Sequence, residues 1–208
     1  MRYPQVIYIG GAPMLGKTTA ARILACRLGY SYISTDDIGV AIGAITERDR
    51  PEIDYREYYI VNSLEELIQD MNTGHERKWP ALRAVIQRHE AWDYPLVIEG
   101  YGLRPSYVHS LTGDVSGVFL LADEALIEKR VRSSDFSEGA SNVQTMVERY
   151  CARAFWYNAM LRAEVARLGL NALEVCEGMR PEEIVDECLS LLSRDGKQEQ
   201  ACTGIGAD

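Results

Sequence analysis

Eight residues near the start of the chain, Gly11-Ala12-Pro13-Met14-Leu15-Gly16-Lys17-Thr18, restrict the fold more than any other stretch. They satisfy G-x-x-x-x-G-K-[ST] in full, between an apolar β-branched run, Val6 to Ile9, and a segment of helical apolar spacing, Lys17 to Leu28. A strand, a glycine-rich turn and a helix in that order form a cradle for phosphate. Glycine lets main-chain N–H groups approach without a Cβ in the way, and the start of the helix adds the positive end of its dipole. Gly11, Ala12, Pro13, Met14, Leu15 and Gly16 form the wrapping backbone in this reading. Lys17 holds the β- and γ-phosphates, Thr18 offers its hydroxyl to Mg²⁺, and Thr19 lies where an α-phosphate contact forms. The cofactors expected are ATP and Mg²⁺. The bland alternative is a glycine-rich turn with a chance lysine, which the strand and helix on either side disfavour.

Four more strand-like runs follow at Tyr30 to Ile33, Pro95 to Glu99, Val115 to Ala122 and Leu170 to Cys176. Helical patterns separate them, so the expected class is α/β with a central parallel sheet covered on both faces. The region from about 43 to 92 has no strand-like run and reads as a helical insertion on the substrate side, with patterns at Tyr55 to Met71 and Lys78 to Trp92. The Ser-, Gly- and Asp-rich segment 132–141 is a candidate mobile lid. One domain is expected over 1–193, with a disordered tail over 194–208.

The acids are placed by strand ends, where ligand crevices open in parallel sheets. Glu99 directly follows the apolar Leu96-Val97-Ile98 and is the candidate for organising magnesium and its waters. Asp36 and Asp37 follow the second strand. Either can accept the proton of a substrate hydroxyl, with Asp37 slightly preferred as base and Asp36 also a candidate beside the metal. Their structural alternative is the first turn of a helix capped by Thr35. Phosphoryl transfer also needs a cation, and Arg130 and Arg132 stand on one side of the lid segment, Arg149 and Arg153 on the other. Arg130 is the first choice. Arg48/Arg50 and Arg77/Lys78 fall in the insertion, where a solvated face competes with recognition of an anionic acceptor.

Charge narrows the partners. A formal net charge of -9 repels a phosphate backbone, so nucleic-acid binding is not expected. The 5 cysteines show no C-x-x-C pair and the 3 histidines no zinc spacing, which suits reduced thiols in a cytoplasmic setting. No uninterrupted apolar run approaches the roughly 18 residues of a membrane span, and the start of the chain shows no leader pattern. Oligomeric state stays open: Trp92, Tyr101, Tyr107, Trp156 and Tyr157 suit an interface or a core.

Taken together, GGAPMLGKTT, ISTDDI, LVIEGYGLRP and VFLLADEALIEKRVR resemble the P-loop small-molecule kinases, and within them 2-phosphoglycerate kinase and its relatives, over roughly residues 3–192. The resemblance implies the three-layer P-loop NTPase fold with five parallel strands in the order 2-3-1-4-5. It also implies a turn after the fifth strand, Glu174 to Arg180, that covers adenine, and Arg130 as a lid arginine. The function so implied is transfer of the γ-phosphoryl group of ATP to a small-molecule acceptor, for example a phosphorylated hydroxy acid such as 2-phosphoglycerate. A nucleoside or nucleotide kinase is the nearest alternative. An NTP-hydrolysing regulatory switch is another, because Asp36-Asp37-Ile38-Gly39 fits D-x-x-G, although no N-K-x-D guanine-reading motif accompanies it.

Overall fold

A computed structural model describes residues 3–46 and 54–202, with side chains to residue 193. In chain order the elements are β1 (Val6–Gly11), α1 (Lys17–Leu28), β2 (Ser31–Ser34), α2 (Thr35–Thr46), α3 (Tyr55–Val61), α4 (Leu64–Ala91) and β3 (Leu96–Glu99). They continue with α5 (Pro105–His109), β4 (Val115–Leu121), α6 (Glu124–Arg132), α7 (Val143–Leu168), β5 (Ala172–Glu174) and α8 (Pro181–Cys202). The five strands form one parallel sheet in the order β2-β3-β1-β4-β5, as the resemblance implied.

Alternation along the strands explains the layers. Ile7, Ile9, Val97, Val118 and Leu120 point to one face and pack with Leu24, Ile127, Val185 and Leu192 from α1, α6 and α8. Val6, Tyr8, Leu96, Ile98, Phe119 and Leu121 point to the other and pack with Ile86, Val108, Tyr157 and Leu161 from α4, α5 and α7. Both faces of the central strands are thus dry, as parallel sheets require.

The helical insertion departs from the expected division. The two patterns, Tyr55 to Met71 and Lys78 to Trp92, break instead at residues 62–63, and α4 then runs for 28 residues through Pro80. A capping box sets the start: Glu66 N–H donates to Ser63 Oγ at 3.2 Å, and Ser63 N–H donates to the Glu66 carboxylate at 2.7 Å. The insertion has a small core of its own, in which Tyr59 and Leu67 meet Met146 of α7 and the flanking Phe136 and Tyr150. Two ties fasten the 133–142 segment to α3. Tyr55 OH donates to the Phe136 carbonyl, and Ser141 donates its N–H and hydroxyl to Glu57 at 3.1 and 2.9 Å. The backbone of α8 continues past Arg194, and residues 203–208 of the expected tail lie outside the described residues, as do Arg48 and Arg50. Of the aromatics, Tyr157 is fully buried and Trp92 is 60% exposed.

Candidate active site

The register of the sheet brings the chemistry together. Ile9 of β1 forms the last pair of the β1·β3 ladder with Glu99, and Ser34 of β2 pairs with the same glutamate. The phosphate loop, the start of α2 and the Glu99 carboxylate therefore share the carboxyl end of the sheet. Two glycines make this approach possible. Gly11 has φ 136°, and a Cβ there would lie 2.3 Å from the Leu120 carbonyl; Gly100 has φ 151°, and its Cβ would lie 1.6 Å from Thr35 Oγ1.

In the loop, Met14 takes φ 62° at the tip and Gly16 takes φ 81° at the N-cap of α1. Gly16 has no side chain with which to cap, and no acid occupies the first turn of α1, so its leading amides face the crevice without an internal competitor. Lys17 is buried and donates from Nζ to the Ala12 carbonyl at 2.7 Å. Burial pulls its pKa down from 10.5 to about 8, while the charges of Glu99 and Asp36 act in the opposite sense. Thr18 and Thr19 are exposed on the first turn of α1.

Glu99 is 3% exposed, and its Oε1 accepts from Thr18 Oγ1 at 3.2 Å and from Tyr32 OH at 3.0 Å. A hydroxyl and a carboxylate side by side at the phosphate loop are the hard oxygen donors that Mg²⁺ takes, with phosphates and waters completing the shell. Among the described residues no group of three His, Cys, Asp or Glu could hold a metal by itself. Tyr32 was not singled out from sequence; its position two residues before Ser34 on the same strand was the available signal.

Asp36 and Asp37 lie in the first turn of α2, both exposed, so the helix-start alternative holds for them, except that Thr35 is the first residue of the helix and Ser34 Oγ accepts from the Asp36 N–H at 3.3 Å. The negative charge of Asp36 acts on Lys17 and on Tyr101, a residue of the next feature, a cavity of ≈ 680 Å³, to which α2 itself contributes Gly39 and Ile42 rather than Asp36. Elements distant in sequence line this cavity: Gly39 and Ile42 from α2, Tyr55 and Tyr58 from α3, Asp70, Met71, His75, Arg77 and Lys78 from α4, Tyr101, and Arg153 from α7. Among the described residues Arg77, Lys78 and Arg153 outnumber Asp70, the one carboxylate of the lining, so the wall is cationic within an acidic chain.

The candidate arginines separate. Arg130 donates from Nη1 to the Met14 carbonyl at 3.0 Å and so rests on the phosphate loop. Arg132 is held by Glu128 on the surface of α6. Arg149 is half-buried on α7, one turn from Arg153, whose guanidinium lies 4.7 Å over the Tyr59 ring. The Glu174 to Arg180 turn is bounded by ion pairs: Glu174 receives both arms of Arg162, and Arg180 pairs with Glu183. His75 and Arg104, which sequence reading passed over, meet at the cavity wall.

No family model matches the chain. A protein named "Putative adenylate kinase" from Thermococcus onnurineus (strain NA1) is 27% identical over 197 residues, covering 93% of this chain and 87% of that protein. A gluconokinase from Sinorhizobium meliloti 1021 superposes with a TM-score of 0.58 at 21% identity, over 96% of this chain and 98% of that one. Shikimate kinase from Acinetobacter baumannii, solved with shikimate, gives 0.51 at 17% identity, over 98% and 96%. Among the described residues no helix is long and apolar enough to cross a membrane. The relative and the two structural neighbours named above are kinases by name, and the structural likeness shows that this chain shares the fold of those two neighbours.

Proposed function

We propose that the protein is a cytoplasmic ATP- and Mg²⁺-dependent kinase that transfers the γ-phosphoryl group to an anionic small molecule seated in the cavity beside Asp36. The observation that carries this reading is the course of α2: its first turn, with Asp36, directly follows Ser34, the register partner of Glu99, and Gly39 and Ile42 farther along the same helix line the cavity. A nucleotide tail on the loop and an acceptor in the cavity would meet there.

The roles follow from chemistry. The loop amides and Lys17 hold the phosphates in place, so little motion is needed at the moment of transfer. Thr18 and Glu99 would hold Mg²⁺, whose chemistry is to neutralise charge on the phosphate oxygens. Tyr32 keeps the Glu99 carboxylate turned toward Thr18. Arg130, already on the loop, supplies a cation from within the chain. For an acceptor hydroxyl, Asp36 takes the proton; Asp37, on the same helical turn, complements the dipole of α2.

Two acceptor classes fit an anionic seat. The resemblance to 2-phosphoglycerate kinase favours a phosphorylated hydroxy acid, while the adenylate kinase name of the curated relatives favours a nucleoside monophosphate. The tyrosines of the wall would serve a base by stacking. The switch reading loses its motif, because Gly39 lies inside α2, where its Cβ would come 2.9 Å from Lys78 Nζ, rather than in a loop free to meet a γ-phosphate. The test is ADP release by pure protein with MgATP against 2-phosphoglycerate, other sugar acids, sugars, nucleosides and nucleoside monophosphates. Acceptor-dependent turnover with an anionic compound is expected; none across the panel defeats the reading.

A further inference from the structure

Among the buried titratable groups that the phosphoryl-transfer machinery leaves unused, His75 lacks a partner at one ring nitrogen. His75 stands on α4, 1% exposed, in the wall of the ≈ 680 Å³ cavity. Arg104, at the N-cap of α5, donates Nε–H to His75 Nδ1 at 2.9 Å and reaches Asn72 Oδ1 with another nitrogen. A guanidinium can only donate, so Nδ1 is the lone-pair nitrogen and the ring proton resides on Nε2. That nitrogen has no hydrogen-bond partner among the described residues and is shielded from solvent. Tyr101 and Tyr157 meet the imidazole edge-on, with ring centroids at 4.7 and 5.6 Å, and limit its rotation toward another partner. Buried donors are nearly always satisfied; this one belongs to a residue of the cavity wall but is covered, so a ligand oxygen reaches it once the side chains over it move aside.

We propose that His75 is a specificity-determining donor of the acceptor cavity, its Nε2–H fixed by Arg104 so as to bind an anionic oxygen, phosphate or carboxylate, of the acceptor. This deepens the kinase reading and rests on it. Charge surrounds the ring without charging it. Burial first, then Arg104, Lys78 and Arg153, depress its pKa to about 3. The facing groups from α4, the Tyr101 loop and α7 are those cations and the hydroxyl-bearing Tyr101 and Tyr157. A neutral donor with a fixed tautomer offers one N–H in one direction, whereas an ammonium turns its three to any oxygen nearby.

The experiment uses the full chain with ¹⁵N-labelled imidazoles, observed by long-range ¹⁵N–¹H spectra with AMP, 2-phosphoglycerate or inorganic phosphate added. Expected is an Nε2–H tautomer that does not titrate between about pH 5.5 and 8, with an Nε2 resonance that moves on addition of AMP or 2-phosphoglycerate. A response to inorganic phosphate alone assigns the site to a free anion and overturns the acceptor role. An Nδ1–H tautomer, or an Nε2 silent to all three probes, also overturns the inference whatever the turnover. With the responsive acceptor, His75→Phe should raise KM about 10-fold or more while kcat and ATP affinity stay within about 3-fold, and His75→Gln, which keeps an N–H, should recover most of the loss. An unchanged KM in a folded His75→Phe protein counts against the donor. Wild-type protein whose Nε2 responds to an acceptor, yet which releases no ADP, would refute the kinase reading alone.

Discussion

The phosphate end of the crevice and its proposed acceptor end are built differently. At the phosphate end the frame is main chain: Lys17 and Arg130 both donate to loop carbonyls, and Gly11 and Gly16 hold angles that side chains disfavour, with Thr18, Tyr32 and Glu99 clustered beside them. At the acceptor end the wall is made of side chains from α2, α3, α4 and α7, brought together only by the packing of an inserted helical unit. A backbone cradle suits a ligand part shared by many enzymes. A wall of separate side chains suits the part in which they differ, since each can change without disturbing the sheet.

Substitutions at the two ends should therefore fail differently, and five measurements rank the contrast. Lys17→Ala should lower kcat on the order of 10³-fold with any acceptor, in a coupled ADP assay, because a buried cation aimed at the transferred group is lost. Asp36→Asn should cost about 10²-fold if the acceptor is a hydroxyl, through loss of a general base, and under about 10-fold if it is a phosphate oxygen that carries no proton to remove. That one kcat ratio separates the two acceptor classes. Arg153→Met should leave ATP binding by calorimetry unchanged and raise the acceptor KM about 10-fold, as loss of a charged contact predicts.

The fourth measurement concerns stability. His75 has a folded pKa of about 3 against 6.5 in the open chain, so the unfolded state binds the extra proton between those values and stability falls as pH drops below 6.5. His75→Gln should remove about 1.4 kcal/mol of that loss for each pH unit below 6.5, seen as a shallower fall of urea midpoints from pH 7 to 5. The smallest effect concerns the ties between the 133–142 segment and α3. Glu57→Gln should raise acceptor-free ATP hydrolysis only about 2-fold, because the bonds to Ser141 are exposed. No change in that background would separate the segment from the cavity.

The same contrast decides what could be read before the structure. The loop, Glu99 beside Thr18 and Arg130 on the loop were legible because each is tied to a strand end or a short motif whose geometry is nearly fixed. The choice between Asp37 and Asp36 had no such support. Two adjacent acids on one helical turn point in different directions, and the placing of Asp36 as base belongs to the proposal. The break before α4 was written in Ser63-x-x-Glu66, but apolar periodicity outweighed it, and Pro80 falls within a helix held by tertiary packing. The His75–Arg104 pair, 29 residues apart, carried no local signal at all. Its meaning depends on which tyrosines surround it.

The fastening of residues 136–141 to the helix carrying Tyr55 and Glu57 has a consequence for timing. In the kinase we propose, a visitor settling against Tyr55 and Tyr58 would push on the same beam that carries residues 136–141, and were that segment a shutter for the triphosphate, the anhydride would stay sheltered from water until a recipient stood ready.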